Sequence, residues 1–207
     1  MLLEVVAGRD GVRAYRVGDT DHADGPVSFV GWRPPAGDAA LLDDGWWTLA
    51  RPVEAAPSAA DAPADFPGDV VAASRGDADA DGADDLVVAF RRPASARVER
   101  ELVPLDRRVD AEGRTAHVGV YRTGPLASRW VAGTLVDPVA RLAACDGAIA
   151  VGYSTLDDDA VVRTGAWRWG GFGFLTLPDL PGPGAPACAD VDGDGARDPL
   201  VLERSPA

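Results

Sequence analysis

Two short stretches of this 207-residue chain pack negative charge so tightly that each is either a solvated acidic surface loop or a cation site, and their repetition in one register favours the second. Asp77, Asp79, Asp81 and Asp85 stand at positions 1, 3, 5 and 9 of one loop. Asp190, Asp192, Asp194 and Asp198 stand at the same positions of a second. Carboxylates at this spacing repel one another unless a hard cation sits among them, and calcium takes about six to eight oxygens from such a loop. Position 6 is glycine in both copies, Gly82 and Gly195. A glycine there lets the chain turn through backbone angles that a Cβ resists, and it leaves the carbonyl of position 7 (Ala83, Ala196) free to point inward. Each copy is therefore expected to hold one calcium ion, two in all.

The residues after each loop exclude the best-known calcium motif. An EF-hand has a glutamate at position 12 and a helix on either side. Position 12 here is Val88 and Val201, within Leu86-Val87-Val88-Ala89-Phe90 and Leu200-Val201-Leu202. These runs are apolar, rich in β-branched residues and of strand length. The two segments resemble the calcium loop of FG-GAP/VCBS repeats, the units of integrin-alpha-type β-propellers, in which Asp-x-Asp/Asn-x-Asp-Gly-x-x-Asp precedes Leu-x-Val. The second copy departs from that pattern at Pro199, which stands where the first has Leu86.

The resemblance implies an all-β chain: a β-propeller of four-stranded antiparallel blades, either about four of them or a fragment of a larger ring. Residues 1–207 would then form one repeat domain with a Pro/Ala-rich surface loop around 54–67. It also implies a calcium-stabilised binding or scaffold module for protein interaction, with an extracellular or cell-surface setting. No signal peptide precedes the first apolar run, Leu2–Ala7. A carbohydrate-binding, lectin-like propeller is the alternative function, and a glycan-active hydrolase or lyase the third. Unpaired blade edges offer a route to assembly with other chains.

Composition narrows the partners. A net charge of −13 repels phosphate backbones, so no nucleic-acid partner is expected. No apolar run is long enough for a membrane-spanning helix, so no membrane insertion is expected. The 46% hydrophobic content is enough for a core, and abundant glycine and proline between apolar runs indicate many turns. Strands are expected at 2–7, 11–18, 27–32, 69–73, 86–91, 98–105, 115–122 and 128–136. Further strands are expected at 139–144 and 148–151, joined by the tight Asp146-Gly147 turn. Residues 160–165 and 166–177 read as two more, the second carrying the alternating Trp167-Arg168-Trp169-Gly170-Gly171-Phe172-Gly173-Phe174 pattern. Leu41–Ala50 reads as an acidic turn leading into an aromatic strand.

Three other features carry chemistry. Trp130, Trp167, Trp169, Phe172 and Phe174 either present an aromatic face to a glycan or protein, or fill the space between sheets. Cys145 and Cys188 either form a disulfide or are two small buried residues. Arg75-Gly76-Asp77 has the letters of an adhesion triplet, but Asp77 is committed to the calcium loop. No nucleophile elbow, phosphate-binding glycine loop or histidine-centred acid–base group appears, and His22 and His117 lie far apart in sequence.

Overall fold

The computed structural model describes residues 2–5, 12–17, 62–63, 66–95, 108–123, 126–177, 185–189 and 195–204. The expected strands at 27–32 and 98–105, the aromatic segment 41–50, His22, most of the 54–67 loop and Asp190, Asp192 and Asp194 lie outside them. The described residues form strands and no helix. None of their segments is a helix long and apolar enough to cross a membrane.

The strands make three antiparallel sheets of four. The first comprises β3 (Asp69–Gly76), β4 (Asp85–Pro93), β5 (Arg114–Arg122) and β6 (Ala127–Val131), in chain order. A second, also in chain order, has β7 (Val139–Ala144), β8 (Ala148–Tyr153), β9 (Arg163–Trp169) and β10 (Phe174–Thr176). The third joins both ends of the chain: β1 (Leu2–Val5) and β2 (Val12–Val17) pair through β2 with β12 (Asp198–Arg204), which pairs with β11 (Ala185–Ala189). Its closing register sets Leu200 opposite Arg16 and Val201 opposite Tyr15.

The β-propeller expectation is corrected here. The sheets are three separate small antiparallel units, and among the described residues nothing closes them into a ring. Alternation and turn residues specify hairpins within a sheet, which are local, whereas the placing of one sheet against another depends on faces far apart in sequence. A second correction concerns residues 160–177. The aromatic run is not one strand; it turns at Gly170–Gly173 and doubles back, so that Trp169 pairs with Phe174 and Trp167 with Thr176. Gly171 at φ 94° makes that turn, a conformation residues with a Cβ rarely adopt.

Strand β4 is central to the packing. Its Val87 and Ala89 join Val118 and Val120 of β5 against Leu142, Ile149, Val151 and Trp167 of the second sheet. The opposite face, Leu86, Val88 and Phe90, is covered by Phe66 and Tyr121. Burial on both faces explains why this strand reads as a continuous apolar run and not an alternating one. Sheets one and two approach closely at their edges. The Ala144 amide donates to Ser74 Oγ at 3.0 Å. A Cβ on Gly76 would lie 2.4 Å from the Ala144 carbonyl oxygen, so only glycine fits there. Cys145 and Cys188 form a disulfide across a Cα–Cα distance of 5.5 Å, tying the β7–β8 turn to β11.

His117, on β5, is a satisfied core histidine. Its ring stacks on Phe90, and its nitrogens lie 2.9 Å from Thr115 Oγ1, 3.2 Å from Arg92 Nε and 3.3 Å from the Ala132 carbonyl. Burial, with the Arg92 charge adding to it, holds its pKa below the ordinary value. An unfolded histidine takes up a proton near pH 6.5, whereas this one resists until a lower pH. Stability is therefore lost as pH falls below about 6.5. Urea midpoints measured between pH 7.5 and 5 should show the wild type losing stability relative to His117→Gln as the pH falls, a difference in which the opposing contribution of the raised Asp85 pKa cancels. Parallel profiles would contradict it.

Candidate metal centre

The loop between β3 and β4 is shaped by its first aspartate. Asp77 Oδ1 accepts the Asp81 amide at 2.9 Å, and Oδ2 accepts the Gly82 amide at 2.8 Å. One carboxylate thus satisfies two amides of a tight curve, as short acidic side chains do in turns. Gly82 takes φ 88°, the left-handed region expected of position 6. Ala80 is also left-handed, at φ 55°, which costs a residue with a Cβ about 1–2 kcal/mol. The equivalent position in the second loop is Gly193. The loop is anchored from below by the Gly147 amide, which donates to the Asp77 carbonyl at 2.8 Å.

This curvature brings Asp77, Asp79 and Asp85 together, with an oxygen from each lying within 4.8 Å of the others. Two oxygens bound to one calcium at about 2.4 Å cannot be further apart than about 4.8 Å, so the cluster has the dimensions of a single coordination sphere. These three residues can hold one metal ion. Asp85 opens β4 on the same face as Val87 and Ala89, which directs its carboxylate into the space between sheets. It is fully buried. Neither of its oxygens accepts a hydrogen bond from any described residue, and Asp79 Oδ1 is buried and unpartnered in the same way. Burial first, and then the Asp79 charge beside it, pushes the Asp85 pKa up to about 6. A carboxylate that loses water and gains no donor is strongly destabilised, and an all-oxygen acidic set of this kind suits a hard cation.

Two arginines from the neighbouring strands face the same carboxylates. Arg129 Nε donates to Asp79 Oδ2 at 2.6 Å, and an Arg122 nitrogen lies 3.6 Å from that oxygen. Arg122 also pairs with Asp81, and this bond holds the Asp81 carboxyl below its usual pKa. Asp81 is thereby set apart from the cluster, and it also accepts the Ala83 amide at 3.1 Å. Neither arginine can be placed here from the loop sequence, since both arrive from later strands, at sequence separations of 41 and 50.

Of the second loop, Gly195, Ala196 and Asp198 are described. Gly195 has φ 93°, close to the 88° of Gly82, so the two copies turn alike at position 6. Arg197 makes a bidentate pair with Asp146 at 2.6 and 3.1 Å. Its amide donates to the same carboxylate at 2.8 Å. The first acidic loop and the described end of the second therefore both contact the Asp146-Gly147 turn.

The aromatic residues separate into two groups. Trp167 is in the core, its indole donating to the Tyr153 hydroxyl at 2.7 Å. Trp130, Trp169 and Phe174 are half-buried and pack edge to face, with both tryptophans 5.0 Å from Phe174. Phe172 at the hairpin tip is 92% exposed, and Leu175 is 58% exposed beside it.

An ionised Asp85 is a liability unless a cation covers it. Its raised pKa corresponds to about 3 kcal/mol of unfavourable charge at neutral pH. In excess chelator, Asp85→Asn should melt a few degrees above the wild type, and calcium should no longer raise its melting temperature. A variant less stable than wild type in chelator would show that the Asp85 charge is satisfied in some other way.

No protein-family model matches the chain, and neither a curated protein nor a solved structure matches it. With three unclosed sheets and no matching family model, the resemblance to FG-GAP/VCBS repeats is not upheld.

Proposed function

We propose that this chain is a calcium-stabilised all-β binding module, in which an ion at Asp77, Asp79 and Asp85 fixes the loop between the first two strands of one sheet. The observation that carries this reading is the convergence of buried, unpartnered carboxylate oxygens on a volume the size of one hard cation. Calcium suits the site better than magnesium because its coordination shell is larger and tolerates an irregular loop. A second ion at the second loop is part of the proposal, supported by the shared aspartate spacing and by the matching dihedrals of Gly82 and Gly195.

The position of the site suggests structural work rather than catalysis. Asp85 begins the strand on which both cores pack, so neutralising it secures the hairpin from which the first sheet is built. The exposed Phe172 and Leu175 at the tip of the β9–β10 hairpin are the apolar surface offered to a protein partner. The buried disulfide suits an oxidising, extracellular-type compartment.

Ion affinity at such a site becomes folding free energy. Calcium at about one hundred times its Kd should add about 2.7 kcal/mol, which in a chain of this size raises the melting temperature by about 5–10 °C over chelator. Scanning calorimetry of the wild type and Asp79→Ala measures this directly. The wild type should show the shift and the variant should lose most of it. Identical scans with and without calcium would contradict the proposal.

A further inference from the structure

Arg129 touches two things at once. Its Nε donates to Asp79 Oδ2, while its guanidinium carbon lies 5.7 Å from the centre of the Trp169 ring. That distance is within the range over which a cation is attracted to an aromatic face. The Trp169 ring in turn packs on Phe174, which packs on Trp130, the next residue after Arg129 in β6. One side chain therefore joins the acidic cluster to the aromatic hairpin that ends in Phe172.

We propose that Arg129 is a positioning residue that couples cation occupancy at Asp77, Asp79 and Asp85 to the Trp130–Trp169–Phe174 surface. The inference rests on calcium being the ion at those carboxylates. The two oxygens of Asp79 have different surroundings: Oδ2 is held by Arg129, and Oδ1 is buried with no hydrogen bond from any described residue. Arg129 thus fixes the rotation of the carboxylate so that its free oxygen faces the cluster, as outer partners of metal-binding carboxylates do. When an ion draws Asp79 Oδ1 toward it, the carboxylate carries the bonded guanidinium with it and changes its approach to the Trp169 face. Because the arginine is planar, it can bond a carboxylate and cover a ring together, which a lysine cannot. Arg129 is 42% exposed at its side chain, so substituting it does not open the core.

The test combines calorimetric calcium titration, which reports occupancy, with tryptophan emission, which reports the aromatic cluster. In the wild type the emission change should track occupancy with the same midpoint. Arg129→Gln should bind calcium about tenfold more weakly and lose the emission change. Arg129→Lys should recover much of the affinity, since its ammonium can again donate to Asp79 Oδ2 and hold the carboxylate's rotation, but not the emission change. Trp169→Phe should abolish the signal and keep the wild-type Kd. If Arg129→Gln binds calcium as well as or better than wild type with its emission change intact, the coupling is overturned while the calcium reading stands. If the wild type gives no binding heat, the calcium reading is overturned and the coupling with it.

Discussion

The burial of the Asp85 carboxylate is the constraint around which this structure is arranged. It opens the strand that contributes to both cores, on the face pressed against the second sheet, and neither of its oxygens is hydrogen-bonded by a described residue. Moving such a group away from water opposes folding unless charge compensation comes from nearby. Asp77 and Asp79 bring further negative charge within a few ångströms, and the described cations that face the cluster reach Asp79 and Asp81. A single divalent ion at Asp77, Asp79 and Asp85 would resolve this conflict, and the loop that would hold it is curved by Asp77 and Gly82.

From that loop the influence spreads in two directions. Inward, the Gly147 amide bonds the Asp77 carbonyl and Gly76 presses against Ala144, so the loop is seated on the β7–β8 turn. That turn carries Asp146, which grips Arg197, and leads immediately into strand β8 under the disulfide to β11. The three sheets thus meet at one end through polar contacts, while β4, β5, β7, β8 and β9 pack apolar faces behind them. Outward, Arg122 and Arg129 bound the carboxylates on the solvent side, and Arg129 leads on to the aromatic hairpin.

Much of the local structure was legible in the chain itself. The strands around the first acidic loop, the Asp146-Gly147 hairpin and the left-handed glycines arise from alternation, turn chemistry and spacing. Three features were not legible. The aromatic run 167–174 alternates like a strand, yet two adjacent glycines before Phe172 allow a reversal there, and period alone cannot decide between them. Aspartate spacing cannot tell which carboxylates share a site, because Asp81 is drawn off by Arg122 from a strand that pairs only in the fold. Nor does hairpin chemistry say how sheets sit together, which is why a ring expected from one loop motif is replaced by three unclosed sheets. The disulfide lay between these cases: two cysteines were visible, one before the Asp146-Gly147 turn and one before the second acidic loop, but their proximity depends on the docking of β11 onto the β7–β8 hairpin.

The most direct measurement is a crystal structure grown in ample calcium, with anomalous diffraction to identify the ion. The account predicts a strong peak within about 2.3–2.6 Å of oxygens from Asp77, Asp79 and Asp85. Continuous density for all three carboxylates with only water among them, at a calcium concentration far above physiological, would contradict it.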